Sequence, residues 1–183
     1  VTLTLEKNAV LTIANSGAKI QIEGKLVVKE GATINMADDS YIYTEDDGQL
    51  VIEGTASNRV TITGQSWEKN DNNGSGPGIE LNSSVASTIK YADIINSNVN
   101  GWDDMIQMMD GSSIENSSIS GGRYGVYVDN GSSIKDSKIF SFDRKALGVH
   151  SNSYVTGTEI YDSNLGTSNG PNVVLDGNAV FKN

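Results

Sequence analysis

The feature that most constrains the fold of this 183-residue chain is a sequence unit that occurs twice in succession and begins a third time. The three copies read GSSIENSSIS, GSSIKDSKIF and SYVTGTEIYDS, and their first anchors, Ile114, Ile134 and Val155, are 20 and 21 residues apart. A fixed period of this size is typical of a solenoid, in which each repeat buries its apolar side against its neighbours. Five residues after each first anchor comes a second one: Ile119, Ile139 and Ile160.

The same unit extends in both directions. Ile89 and Ile94 have the same five-residue spacing upstream, and Val180 begins a further copy downstream. A short segment of alternating apolar residues precedes each unit, and such alternation is typical of a strand with one buried face. Each repeat therefore predicts three short strands and no helix. Eight rungs are expected, marked by Leu3, Leu26, Leu50, Ile79, Ile106, Val126, Leu147 and Val173.

Connections of unequal length join the predicted strands. The corner between the last two strands of a rung is short and polar, as at residues 116–117 and 136–137. The corner that leads to the next rung varies in length and is predicted to include residues 45–48, 64–77 and 96–104. Irregular rungs with one variable corner favour a right-handed coil over a left-handed one built from regular hexapeptides. Function in solenoids often lies on the face that carries such insertions.

Charged residues at equivalent positions support this register. Lys90, Glu115 and Lys135 each follow a first anchor, so they are expected to alternate in sign on adjacent rungs. Opposite charges on neighbouring strands contribute roughly 0.2 to 1 kcal/mol each. Two further pairs are expected near the N-terminus, Glu6 with Lys29 and Lys7 with Glu30.

Composition bounds the domain organisation and excludes several classes of protein. The chain contains no cysteine, which excludes a disulfide scaffold and a thiolate metal site. Membrane insertion is not expected, since no apolar run approaches the roughly 20 residues that span a bilayer. The net charge of -10 argues against a nucleic acid partner. Residues 1–183 are expected to form a single β-helix domain of a longer chain with other domains, because Val1 already lies in a strand pattern.

Two segments resemble known β-helix sequences. GQLVIEGTASNRVTITGQSW resembles the N-terminal rungs of bacterial extracellular β-helix proteins, and GVYVDNGSSIKDSKI resembles the generic parallel β-helix repeat. The chain is thus similar to the all-β, right-handed parallel β-helices of the pectate-lyase-like superfamily. This resemblance implies a secreted or cell-surface protein whose partner is a polysaccharide or a cell-surface glycan. It does not specify the activity, because the same coil serves lyases, hydrolases, phage tailspikes, adhesins and noncatalytic modules.

The resemblance places any catalytic residues on the first strand of each rung, where enzymes of the superfamily bind their polysaccharide. One outward column there is predicted to place the only histidine, His150, between Asp129 and Asp176, with Arg144 in a nearby corner. A carboxylate beside an imidazole, with a cation near, suits proton abstraction next to a uronate. The simpler alternative is a solvated Asp–His pair. The motifs of the superfamily's hydrolases are incomplete here, because no RxK sequence follows His150.

Aromatic residues favour a binding function. Trp102, Tyr124 and Tyr127 are predicted to line one surface across two rungs, and flat rings beside polar side chains hold sugars through apolar contact and hydrogen bonds. For Trp67 and Trp102 the alternative is a role as covers over the core. The complete predicted binding set is Trp102, Gln107, Arg123, Tyr124, Tyr127 and Lys145.

Carboxylates in the predicted corners suggest calcium as a cofactor. Calcium takes roughly six to eight oxygen ligands, which neighbouring loops can supply together. No segment matches an EF-hand or a glycine-rich calcium-binding nonapeptide, so the alternative is surface charge that keeps the rod soluble. The metal candidates are Asp46, Asp47, Asp103 and Asp104.

Taken together, these patterns favour a noncatalytic extracellular module that binds polysaccharide or serves adhesion or scaffolding. The alternative is a polysaccharide lyase or glycoside hydrolase that acts on acidic glycans.

Overall fold

The computed structural model describes residues 1–71, 74–97, 103–163, 173–175 and 180–182. Within these ranges the chain is an all-β parallel solenoid, with three sheets and no helix. The predicted parallel β-helix with three short strands per rung is therefore confirmed. The described residues accordingly include no helix long and apolar enough to cross a membrane.

Strands of successive rungs pair in parallel in sheets 1, 2 and 3, numbered in the order in which the chain enters them. Sheet 1 comprises Thr2–Leu5, Lys25–Lys29, Gln49–Glu53, Thr88–Lys90, Ser113–Glu115, Ser133–Lys135, Tyr154–Thr156 and Val180–Lys182. Sheet 2 comprises Val10–Thr12, Thr33–Met36, Val60–Gly64, Ala92–Asn96, Ser118–Ser120, Lys138–Phe140 and Glu159–Tyr161. Sheet 3 comprises Lys19–Ile22, Tyr41–Thr44, Ile79–Leu81, Asp104–Met108, Tyr124–Val128, Leu147–Val149 and Val173–Leu175. An antiparallel pair, Lys69–Asp71 and Gly74–Gly76, lies in one connection from sheet 2 to sheet 3.

The rung count is slightly lower than the eight predicted. The sheets contain eight, seven and seven described strands, so the chain makes six turns between the first and last strands of sheet 2 or sheet 3. The predicted markers Leu3, Leu26 and Leu50 lie in sheet 1, whereas Ile79 and the later markers lie in sheet 3. Leu50 and Ile79 therefore belong to the same rung, which the prediction counted twice.

The register predicted for the late repeats is confirmed. The first anchors pair along sheet 1 in the order Ile89, Ile114, Ile134 and Val155. The second anchors pair along sheet 2 in the order Ile94, Ile119, Ile139 and Ile160. Ile160 is partly buried and packs against the core that the other seven form with their neighbours. In the last strand of sheet 1 the partner of Val155 is Phe181 rather than the predicted Val180.

A row of alternating charges runs along the outside of sheet 1. The register places Lys29, Glu53, Lys90, Glu115 and Lys135 side by side, and we call them the charge row. Lys29 pairs with Glu53, and Lys90 Nζ lies 3.1 Å from Glu115 Oε2. The predicted run of Lys90, Glu115 and Lys135 therefore belongs to a longer row, which Glu53 extends to Lys29. Lys29 forms its ion pair with Glu53, on the opposite side from the predicted partner Glu6. The predicted pair of Lys7 with Glu30 is also present, with a separation of 3.0 Å.

The three corners differ in length. The corner from sheet 1 to sheet 2 is short in the late rungs, as predicted, and Asn116 and Asp136 turn it with the left-handed φ values of 51° and 48°. The variable corner lies between sheet 2 and sheet 3. Residues 45–48 instead connect sheet 3 to sheet 1, so the prediction that placed them at the variable corner is wrong.

Trp67, in the long connection before Ile79–Leu81, is part of the core. Its side chain is fully buried, and indole Nε1 donates a hydrogen bond to the backbone oxygen of Ile95 at 2.8 Å. Trp67 is thus buried, as the alternative to sugar binding predicted, but it packs within the core of a central rung and not over an end of the core. Trp102 lies outside the described residues.

Candidate functional site

The outer face of sheet 3 carries the column of side chains predicted for the site. Strand pairing brings Glu80, Gln107, Tyr127 and Gly148 together on successive rungs, as expected. The column begins earlier than predicted, because Tyr43 pairs with Glu80 and Gln21 pairs with Tyr43.

Two rings stack at the centre of this face. The ring centroids of Tyr127 and His150 are 4.6 Å apart, and their planes differ by 23°. The backbone of His150 donates to the Val128 oxygen at 2.8 Å, which continues the strand ladder and places His150 on the rung after Asp129, as predicted. Tyr127 Oη donates to Asp129 Oδ2 at 2.9 Å, so a carboxylate fixes the phenol edge of the pair. Asp176, the predicted third member of that column, lies outside the described residues.

Asp129 is held as a carboxylate. Partial burial acts to raise its pKa, but hydrogen bonds from the Asn130 backbone, the Ser151 hydroxyl and the Tyr127 phenol outweigh that cost, so the pKa is lowered. The Asn130 N–H donates to Asp129 Oδ1 at 2.7 Å. A carboxylate engaged by several donors is a good hydrogen-bond acceptor and a poor proton donor at neutral pH.

Three cations surround Tyr124, which begins the strand that also carries Tyr127. The Cζ atoms of Arg123 and Arg144 are 5.8 Å and 5.9 Å from its ring centroid, and Lys145 Nζ is 6.0 Å from it. Arg144 Nη1 also donates to Tyr124 Oη at 3.2 Å. The structure therefore joins the predicted residues Arg123, Tyr124 and Lys145, and it places Arg144 with them against the phenol. Three of the chain's 13 lysine and arginine side chains thus lie around one ring.

Lys145 crosses the face to a carboxylate two rungs away. Its Nζ lies 3.2 Å from Asp104 Oδ1, and the two side chains are only 22% and 15% exposed. The same Nζ is 5.8 Å from the Tyr127 centroid, so the ammonium lies between the two tyrosines. Burial raises the pKa of Asp104, against the attraction of Lys145. The pair thus depends on the lysine to keep the carboxyl group ionised.

Replacing Lys145 with methionine is expected to lower the free energy of unfolding by about 2 to 3 kcal/mol at pH 7, because the variant leaves a largely buried carboxylate without its cation. The folded-state pKa of Asp104, already above its usual 3.8, rises further in the variant. A raised folded-state pKa favours folding at low pH, so the loss is expected to shrink as the pH falls through that pKa. Urea unfolding at several pH values measures this. A loss that is the same at pH 7 and pH 4.5, or one that Asp104→Asn fails to relieve, would contradict the assignment.

Gly148 leaves a space on the outer face that the ends of two neighbouring side chains fill, so the glycine itself is buried. A Cβ atom at this position would lie 3.2 Å from His150 Nε2 and 3.5 Å from Lys145 Nζ, so both groups converge over the glycine. We call this space, bounded by Tyr127, Lys145 and His150, the Gly148 recess.

The metal candidates divide between two corners. Asp103 and Asp104 precede or begin the strand Asp104–Met108, whereas Asp46 and Asp47 follow the end of the strand Tyr41–Thr44. Asp47 Oδ1 accepts a hydrogen bond from the Ser84 hydroxyl at 2.8 Å. Among the described residues, no three Asp, Glu or His side chains are grouped so that they could hold a metal ion. Calcium binding stays a prediction.

Comparison of the chain with protein-family models, with curated proteins and with solved structures found no match. The parallel β-helix is thus established by the strand pairing, and membership of the pectate-lyase-like superfamily stays a prediction.

Proposed function

We propose that the protein is a noncatalytic polysaccharide-binding β-helix module of the cell surface or the extracellular space, and that it binds glycan on the outer face of sheet 3. The observation that supports this most directly is the stacked pair of Tyr127 and His150 beside the Gly148 recess. Stacked rings offer an apolar surface to the C–H face of a sugar, and the Lys145 and His150 nitrogens that fill the recess are placed to bond the hydroxyl groups of the same sugar.

Polar groups around the rings match the hydroxyl groups of a sugar. The Asp129 carboxylate is an acceptor, Lys145 is a donor, and Gln107 beside Tyr127 offers both. Rungs are about 4.8 Å apart, close to the length of one sugar unit in an extended chain, so successive units can meet successive rungs. Arg123 and Arg144 beside Tyr124 offer two guanidinium groups to a glycan with acidic groups.

Two substitutions test this surface. Tyr127→Ala removes one ring, and Gly148→Ala places a methyl group among the flexible ends of Lys145 and His150. Each is expected to weaken glycan binding about five- to tenfold, because Tyr127→Ala removes apolar contact worth about 1 kcal/mol and the methyl group of Gly148→Ala displaces the ends of Lys145 and His150. The melting temperature is expected to move by only a few degrees, because neither change alters the core. Glycan-array screening followed by titration on the best ligand measures the effect.

Thr88→Ala, an outward change on sheet 1, is the matched control and is expected to leave binding unchanged. Unchanged affinity in both Tyr127→Ala and Gly148→Ala would place the glycan elsewhere on the rod.

The second candidate function is a polysaccharide lyase or glycoside hydrolase acting on acidic glycans. It is favoured by the convergence of His150 Nε2 and Lys145 Nζ over Gly148, which brings a titratable imidazole to a cation. Assays for reaction products on the same glycans, and on uronate polymers, distinguish the enzyme from the noncatalytic module. Release of unsaturated or reducing products that is lost in His150→Ala would establish the enzyme, and binding without products would leave the noncatalytic module.

A further inference from the structure

The outer face of sheet 2 has a gap one rung wide. In one outward column Ser120 lies between Ile95 and Phe140, and in the adjacent column Ser118 lies between Asp93 and Lys138. Two short hydroxyl side chains therefore separate two rungs that carry longer side chains. We call this gap, bounded by Ile95 and Asp93 on one side and by Phe140 and Lys138 on the other, the sheet-2 notch.

Phe140 turns a flat face toward the notch. Its ring is parallel to that of Tyr161 on the following rung, with planes 3° apart and centroids 4.9 Å apart. Two parallel rings at this distance overlap face to face, because rings that lie edge to edge in one plane need a larger separation. Tyr161 thus covers one face of Phe140, and the opposite face points toward Ser120. Ile95, 36% exposed, supplies an apolar wall on the other side of the gap.

The notch is one ring thick. Ile95 and Phe140 lie two strand spacings apart, about 10 Å between backbones. A flat ring in van der Waals contact with a wall on each side needs about 3.5 to 4 Å to each wall, or about 7 to 8 Å in total. A single six-membered ring fits this width, and two stacked rings do not.

The neighbouring column gives the notch a polar end. Arg59, Asp93, Ser118 and Lys138 line a groove of about 270 Å³ beside it. Arg59 is rigidly held, because its Nε donates to Asp93 Oδ1 at 2.9 Å and its Nη2 donates to the Ala92 oxygen at 2.8 Å. Lys138 Nζ lies 3.7 Å from Glu159 Oε2 and so stays near the groove wall. A ring bound between the apolar side chains of Ile95 and Phe140 therefore has hydrogen-bond donors and acceptors at its rim.

The side chains of Phe140 and Ile95 determine which kind of ligand fits the notch. A ring held between Phe140 and Ile95 must be apolar on both faces, and its polar groups must lie at its rim. Among hexoses a β-glucopyranosyl unit meets both conditions, since all its hydroxyl groups are equatorial, whereas an axial hydroxyl would press a polar group against a wall that cannot bond it. We propose that the sheet-2 notch binds a β-glucopyranosyl unit, with its ring between Phe140 and Ile95 and its hydroxyl groups toward Ser118, Asp93 and Lys138. This site is on a different sheet from the one proposed above and does not depend on it.

The experiment uses cellotriose, a linear trimer of β-1,4-linked glucose, as the probe. Saturation-transfer NMR and titration are carried out on the Tyr127→Ala protein, so that the face of sheet 3 makes a reduced contribution. Ser120→Phe fills the notch from an outward position without touching the core. The matched control is Thr63→Phe, in the same column but on the far side of Ile95. The control ligand is β-1,4-galactotriose, in which O4 of every ring is axial: it is a free hydroxyl at the non-reducing end and the glycosidic oxygen in the other two rings.

Cellotriose is expected to bind at least about fivefold more tightly than galactotriose. Ser120→Phe is expected to weaken cellotriose binding about tenfold, whereas Thr63→Phe is expected to change it less than about twofold. Three results would overturn the proposal: no binding of cellotriose, equal binding in Ser120→Phe, or equal binding of the two trisaccharides. N-acetyltryptophanamide is tested in parallel. Stronger notch-dependent binding of that indole than of cellotriose would assign the notch to an aromatic side chain of a protein partner and would likewise reject the sugar.

Discussion

Replacing Trp67 with alanine is expected to lower the free energy of unfolding by about 3 to 5 kcal/mol, the usual cost of removing a fully buried aromatic ring. The indole is completely buried although it belongs to a connection and not to a sheet. It packs so closely against Gly78 that a Cβ atom there would lie 2.8 Å from its ring. The change would also leave the Ile95 carbonyl without the donor that now lies 2.8 Å away.

Urea unfolding followed by circular dichroism measures this loss, and Trp67→Phe separates its two causes. Phenylalanine retains most of the apolar volume but cannot donate to Ile95, so its cost is expected to be about 1 to 3 kcal/mol. If the alanine variant lost less than about 1 kcal/mol, Trp67 would not be part of the core and the described path of the connection would be wrong.

Replacing Gly125 with alanine is expected to destabilise the rod by about 3 kcal/mol or more. A Cβ atom on Gly125 would lie 2.0 Å from the backbone oxygen of Ala146 on the next rung. That oxygen cannot rotate away, because it accepts a hydrogen bond from the Val126 N–H at 3.0 Å in the ladder of sheet 3. Relief therefore requires the two rungs to separate, which breaks ladder hydrogen bonds and opens the core between Val126 and Leu147.

Gly148→Ala is the control for this prediction, since it adds the same methyl group one rung later in the same sheet. There the new atom meets only the ends of two flexible side chains, so the melting temperature is expected to change by a few degrees at most. Equal stability of the two variants would show that the rungs are not packed at the spacing that the strand pairing implies.

The late rungs could be predicted in detail because their sequence repeats with nearly constant length. Ile114, Ile134 and Val155 fall at one position of one unit, so the pairing of each strand follows from the alignment alone. The outward column through Gln107 and Tyr127 follows in turn from strand alternation.

The early strands of sheet 3 could not be aligned in this way. The strands Lys19–Ile22 and Tyr41–Thr44 are bounded by turns of different length, and their sequences share little with Ile79–Leu81, the strand they precede in sheet 3. Without that alignment the prominent leucines of sheet 1 served as markers for the early rungs, and Leu50 was placed one rung before Ile79. Apolar alternation identifies a strand but does not say which of three similar sheets it joins.

The candidate site could be predicted only in part for a related reason. Arg123, Tyr124 and Lys145 were expected at one corner, and they meet there. The contact between Lys145 and Asp104 depends on the reach of a long side chain across an intervening rung, which no spacing in the sequence encodes. The depth of Trp67 likewise depends on the path of a connection that has no repeat.

The charge row distinguishes each rung from the next by the sign of one charge. Its five residues alternate in sign from Lys29 to Lys135, so each of these rungs lies beside a rung that carries the opposite charge at this position. A chain that skipped one rung while coiling would set Lys90 against Lys135, and like charges on adjacent strands are destabilising. Skipping two rungs would restore the alternation. The row therefore penalises the skipping of a single rung, which the isoleucines of the core do not, because they occupy equivalent positions in successive repeats.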